Sequence, residues 1–150
     1  MASAAEDFGD LPLGTLLERR GFATSYDIAE ALAAARAQGK RLGEILVEWE
    51  LVGERDLALL LAEQEELDFV DLGKYDLDPA ALALFPRGIS RKHAVIPYAF
   101  DGEAALVAAA DPTDDDALDA VLNACPRPVR FVVATRTEIE AALAEAYPDW

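Results

Sequence analysis

The sequence predicts an α+β chain: an all-helical N-terminal lobe of two tandem helix-pair repeats, then a small α+β lobe with a three-stranded sheet and flanking helices. Three observations carry this. The first third repeats itself at an offset of 29 residues, and repeat periods in that range mark stacked supersecondary units. An Asp101-Gly102 pair lies between two apolar runs, which signals a hairpin. A further apolar run, Val129 to Val133, follows a helical pattern and supplies a third strand. Residues 1–10 are expected as a disordered tail, 11–67 as the helical lobe and 68–150 as the α+β lobe.

The 29-residue shift lays Leu13-Gly14 on Leu42-Gly43, Leu16-Leu17 on Ile45-Leu46, Phe22-Ala23 on Leu51-Val52, Ile28 on Leu57 and Leu32 on Leu61. Each repeat reads as a short helix, a tight break and a longer helix. Gly21 stands where a helix ends with positive φ, and Thr24 with Asp27 forms the signature of a capping box opening the next helix. Ile28, Leu32 and Ala35 then share one face until Gly39 closes the helix. In the second repeat the break moves to Glu50 and Gly53, and Leu57, Leu60, Leu61 and Gln64 share a face.

From Asp68 the period changes. Phe69 to Leu72 reads as an extended connection, and a helix is expected from Asp78-Pro79, because proline suits a first turn. It should carry Ala81, Leu82, Leu84 and Phe85 inward and stop at Pro86 to Gly88, with a short turn over Ser90 to His93. Val95 to Phe100 and Ala104 to Ala109 are the hairpin strands, and Pro97 places the first at a sheet edge. Thr113 with Asp116 suggests a capping box for a helix through Leu118, Val121 and Leu122. Thr135 with Glu138 suggests another for a last helix that turns Ile139, Ala142, Leu143 and Ala146 inward.

Composition narrows the function. Twenty-nine acidic against thirteen basic residues give a net charge of −16, which repels polyanions and argues against nucleic acid as a partner. Arg19, Arg20, Arg36, Lys40 and Arg41 nevertheless cluster, as do Arg87, Arg91 and Lys92, so a compact anion or an acidic surface has places to dock. Cys125 is the only cysteine and His93 the only histidine, which leaves little material for a structural metal site or a His-dependent triad. Cys125 reads as a small core residue, His93 as a surface or junction residue, and Asp114 to Asp116 as the acidic start of a helix rather than a metal site. The apolar runs Leu57 to Ala62 and Ala104 to Ala110 are too short for membrane insertion, and Met1 to Asp10 lacks a secretory pattern, so a cytoplasmic location is expected. Gly39-Lys40 and Gly73-Lys74 are not followed by Ser or Thr, so the chain carries no phosphate-binding loop of its own and is expected to be non-catalytic.

Arg41-Leu42-Gly43, Ile45-Leu46, Leu51-Val52, Leu57, Leu61 and Gln64 follow the pattern Arg-Leu-Gly, paired apolar residues, then Leu-x-x-x-Leu-x-x-Gln. In this the chain resembles the MshEN domain, the N-terminal domain of type II secretion and type IV pilus assembly ATPases. Phe69 to Leu72, Asp78-Pro79, Val95-Ile96-Pro97 and Ala109 to Pro112 resemble the later part of the same domain. The resemblance implies that two 24-residue frames, 12–35 and 41–64 with a five-residue spacer, hold one cyclic di-GMP. The implied contacts are Leu13, Gly14, Ile28, Leu32, Arg41, Leu42, Gly43, Leu57, Leu61 and Gln64. Glycine lets backbone approach a base or phosphate, leucines give apolar walls, and Arg and Gln give directional bonds. The first frame departs from the pattern at Pro12 and Ala35, where the motif has Arg and Gln, and the second at Glu50, where it has Gly. No catalytic residue, metal or cofactor is implied beyond that candidate ligand. The implied partners are a downstream ATPase or glycosyltransferase domain, or a membrane platform protein. A protein-docking role without nucleotide is the alternative, favoured by the two departures in the first frame.

Overall fold

In the first part of the chain, each break between helices falls where the sequence leaves a residue that can take left-handed backbone. The structure, a computed structural model, describes residues 10–148, with side chains from Leu13 onward. The expected tail thus lies outside the described residues except for Asp10, which opens helix α1 (Asp10–Arg19). Helix α2 (Ser25–Gln38) begins at Thr24, whose hydroxyl accepts from the Asp27 N–H while the Asp27 carboxylate accepts from the Thr24 N–H, both at 3.1 Å. It ends at Gly39. Helices α3 (Leu42–Glu48) and α4 (Glu54–Glu65) complete the second pair. Leu13, Leu17, Ala31, Leu42, Ile45 and Leu46 are fully buried and form the core of this unit. The unit runs to Leu60, and a second compact unit starts at Leu61, within α4.

The second unit holds a mixed sheet. Strands β1 (Val95–Asp101) and β2 (Ala104–Ala109) form the hairpin, and β3 (Val129–Val133) joins β2 in parallel, giving the order β1-β2-β3. Strand β1 lies at the edge, as Pro97 requires, and its register slips between Pro97 and Ala99. Asp101 pairs with Ala104, so the turn is Gly102-Glu103 rather than Asp101-Gly102, and Gly102 supplies the positive φ. Helices α5 (Pro79–Leu82), α6 (Arg87–His93), α7 (Asp115–Ala124) and α8 (Arg136–Ala146) flank the sheet. One face packs Ile96, Tyr98, Ala108 and Val132 with Val70, Leu72 and the α8 residues Ile139 and Leu143. The other packs Val95, Val107 and Ala109 with Phe85 and the α7 residues Ala117 and Val121. A parallel β2–β3 pair needs a crossover, which α7 provides.

Several local expectations are corrected. The helix at Pro79 stops at Leu82, and Pro86 does not end a helix but precedes α6, which carries Gly88 inside it. Proline without an N–H is as well suited to a helix entry as to an exit. Asp114, not Thr113, caps α7 by accepting from the Ala117 N–H, while the Thr113 hydroxyl and N–H both donate to Asp111. Both readings satisfy the same short-range rule, and the Asp111 carboxylate captures Thr113. Leu122 points outward and is 54% exposed. Thr135 caps α8 as expected, accepting from the Glu138 N–H at 3.1 Å. Phe69 is more than a connection: it bridges Val133 in parallel, and a 3-10 turn, Leu72–Lys74, follows.

Candidate functional site

Around the break between their helices the two repeats share one hydrogen-bond pattern. Around the first break Arg20 N–H donates to Leu16 O, Gly21 N–H to Glu18 O and Phe22 N–H to Leu17 O. Around the second, Trp49 N–H donates to Ile45 O, Glu50 N–H to Val47 O and Leu51 N–H to Leu46 O. Every donor and acceptor is displaced by the same 29 residues. Both breaks are helix ends closed through a left-handed residue. Gly21 takes φ +78° and Glu50 takes φ +59°. Glutamate at the second break therefore adopts the conformation for which the first uses glycine, and the turn is retained despite the loss of that glycine.

Each repeat also brings its first helix onto its second through a glycine. A Cβ on Gly14 would lie 3.2 Å from Ile28 Cγ2, and a Cβ on Gly43 would lie 3.0 Å from Leu57 Cδ2. The two contacts are again equivalent by the 29-residue shift. Glycine at 14 and 43 thus has a packing reason inside the chain: it lets the helices cross closely, whatever else approaches.

Burial sorts the sequence-derived residues. Leu13 and Leu42 are 1% and 0% exposed and serve as core. Gly14, Ile28 and Leu61 are buried as well. Leu32, Arg41, Gly43, Leu57 and Gln64 are half-buried and keep part of their surface accessible. Leu61 and Gln64 lie on the part of α4 that belongs to the second unit. Arg41 stands at the entry to α3, where its N–H donates to Glu44 Oε1 at 3.0 Å. Its backbone is thus fixed by Glu44, and its guanidinium, which has no acceptor, takes no part in the cap. Gln64 Nε2 donates to Glu65 Oε2 at 2.9 Å. Ala35, the counterpart of Gln64, is buried, and its carbonyl accepts from the Gly39 and Lys40 N–H groups. The side chain of Pro12 lies outside the described residues.

The local electrostatics differ from the reading by composition. Lys40 was among the cations available to a bound anion, but its ammonium lies 2.6 Å from the Glu48 carboxylate. That hydrogen bond, with the charges of Glu48 and Glu44, holds the Lys40 pKa above its ordinary value. The pair ties Lys40, just before α3, to Glu48, the last residue of α3, a relation no helical period announces. Sequence reasoning also passed over Trp49, which caps the C-terminus of α3 and is 43% exposed. Its exposure was not legible, since an aromatic beside a run of apolar residues reads as core.

A family model described as the MshEN domain matches residues 65–149. The match covers the last residue of α4, the sheet and its flanking helices, and lies wholly after the 41–64 pattern. Over 94% of its length the chain is 31% identical to the type IV pilus assembly ATPase PilB of Thermus thermophilus, and over 91% it is 27% identical to PilB of Myxococcus xanthus. It is also 27% identical over 91% of its length to bacteriophage adsorption protein B of Escherichia coli K12. The chain spans only 16%, 24% and 18% of these proteins. Among solved structures it resembles MshE with cdg, at a TM-score of 0.80 and 29% identity, covering 90% of this chain and 98% of that one. It also resembles the N-terminal domain of XpsE, at a TM-score of 0.76 and 25% identity, covering 88% and 91%. With a family match over more than half its length, and a fold shared across both units, the chain belongs to the MshEN domain family.

Proposed function

We propose that the tandem repeats bind cyclic di-GMP and that the chain is a non-catalytic, cytoplasmic regulatory module of a pilus or secretion ATPase. The observation that carries this is the congruence of the two repeats, matched at the helix breaks and the glycine crossings, in a chain similar to MshE, which has been solved with cdg (cyclic di-GMP). A ligand built of two identical halves suits two equivalent helix pairs. Arg41 supplies the charged, directional contact, by stacking on guanine or forking onto phosphate. Leu32 and Leu57 supply apolar wall and Gly43 lets the ligand approach the backbone, while Leu13, Gly14, Ile28 and Leu42 support these from the packed side, and Leu61 and Gln64 follow further along α4. The attached motor is proposed from the PilB relatives, of which this chain corresponds to a small part. A glycosyltransferase domain is the alternative downstream partner.

Titration of the purified chain with cyclic di-GMP by calorimetry tests the proposal. Saturable heat is expected, and Arg41→Ala should weaken binding by about tenfold or more, the cost of a lost charged hydrogen bond. The absence of heat at high micromolar ligand rejects nucleotide binding. A second reading is supported by one observation: Ala35 is a buried methyl where the motif has an amide, so the first frame lacks a polar arm. On that reading the domain docks onto a membrane platform protein without nucleotide, and a platform fragment binds equally well with or without cyclic di-GMP.

A further inference from the structure

The cations of the first repeat fall on two sides of its helix crossing, and this separates them by what they can reach. Helices α1 and α2 meet where a Cβ on Gly14 would lie 3.2 Å from Ile28 Cγ2. On one side of that crossing the break at Gly21 joins the end of α1 to the start of α2. Arg19 and Arg20 lie on this side, Arg19 being about 8 Å along the axis from Gly14 at the rise of an α-helix. The other side holds the start of α1 and the C-terminal part of α2, with Leu13, Leu32 and Arg36. In the second repeat the crossing of Gly43 and Leu57 places Arg41 on the corresponding side, away from the break at Glu50.

Lys40 follows on that side too, but Glu48 holds its ammonium. Arg36 is exposed in the last turn of α2, one turn beyond half-buried Leu32, and residues four apart share a helix face. The 29-residue shift lays Ala35-Arg36 on Gln64-Glu65. The second repeat has an amide and then a carboxylate, joined at 2.9 Å, whereas the first has a buried methyl and then a guanidinium. The repeats, alike at their breaks and crossings, diverge here: the first carries a cation beside the position where it lacks the amide. A guanidinium has five N–H donors, so a contact within the chain still leaves others for an oxyanion.

We propose that Arg36 is the charged contact of the first half-site. It forks onto a phosphate or stacks on a guanine of cyclic di-GMP, in place of the arginine and glutamine that the first frame lacks at Pro12 and Ala35. The assignment rests on the nucleotide reading above. It makes the two half-sites inequivalent, because Arg41 reaches its half from the entry to the first helix of its repeat and Arg36 from the end of the second.

The test is calorimetric titration of the full chain with cyclic di-GMP at physiological salt, where the Debye length is about 8 Å and distant surface charges are screened. Arg36→Ala should weaken binding about tenfold or more, and Arg36→Gln, which keeps the length and loses the charge, by a similar factor. The double variant Arg19→Ala/Arg20→Ala, on the break side of the crossing, should bind within about twofold of the parent. Pro12→Arg added to Arg36→Ala should restore most of the loss. Should Arg36→Ala not fold, Arg36→Gln decides. No saturable heat from the parent chain rejects the nucleotide reading and the assignment with it. Parent-like affinity in the Arg36 variants overturns the assignment alone, and with a lowered melting temperature it leaves Arg36 only the part of a cation at a helix C-terminus. An equal loss in the Arg19→Ala/Arg20→Ala variant reduces the effect to long-range charge and also overturns the assignment.

Discussion

Replacing Glu50 by glycine should make the protein more stable, although it removes a side chain and adds none. Glu50 holds φ +59° at the end of α3, in the place where the first repeat has Gly21 at φ +78°. For an L-residue that backbone costs roughly 1–2 kcal/mol, through crowding of Cβ against the carbonyl oxygen. Glycine avoids the crowding but gains about 0.4–1 kcal/mol of freedom in the unfolded chain. The difference leaves Glu50→Gly stabilising by about 1 kcal/mol, because the Glu50 side chain is exposed and leaves no cavity. In a chain of 150 residues this raises the melting temperature by about 2–4 °C, readable by calorimetry or urea denaturation. The mirror substitution, Gly21→Ala, should cost about 1 kcal/mol by the same arithmetic. Open space surrounds a Cβ there, so no steric clash adds to it. A Glu50→Gly variant with an unchanged or lower melting temperature would refute the reasoning.

Three further outcomes are expected. Gly43→Ala should be close to neutral, since about 1 kcal/mol of helix propensity opposes crowding of Leu57 Cδ2 at 3.0 Å; a double-mutant cycle with Leu57→Ala should show a coupling of about 1 kcal/mol as the crowding is relieved. Thr24→Ala should destabilise by about 1 kcal/mol in thermal denaturation, because it removes one half of a fully formed capping box. Burial foremost pushes the Tyr98 phenol up to about 12. The folded state therefore holds that proton more tightly than the unfolded chain, whose tyrosine titrates near 10. The stabilisation is complete below about pH 10 and is lost as pH rises through 12. Ultraviolet titration should show the late phenol, and Tyr98→Phe should abolish the late step.

Much of the fold was legible because the deciding interactions are short-range. Thr24 with Asp27 and Thr135 with Glu138 announce helix starts within four residues. The Asp-Gly pair places a hairpin and Pro97 an edge strand. Where two short-range solutions compete, the sequence alone left the choice open. Thr113 and Asp114 are both good caps, and Asp111 decided between them. The site was legible at the level of residue type and spacing, and less so at the level of role. Leu13 and Leu32 look alike in the pattern, yet one is core and the other half-buried.

By itself the sequence determined the tandem helix pairs, the mixed composition of the second unit and the family, since periodicity, caps and turn residues act through neighbours along the chain. Only tertiary structure decided that Gly14 and Gly43 receive Ile28 and Leu57, that Glu48 claims Lys40, and that Asp68 to Val70 pair with just the end of β3. These depend on which distant segments come within a few ångströms of one another. That proximity is set by packing a whole unit, and it leaves no period or motif in the sequence.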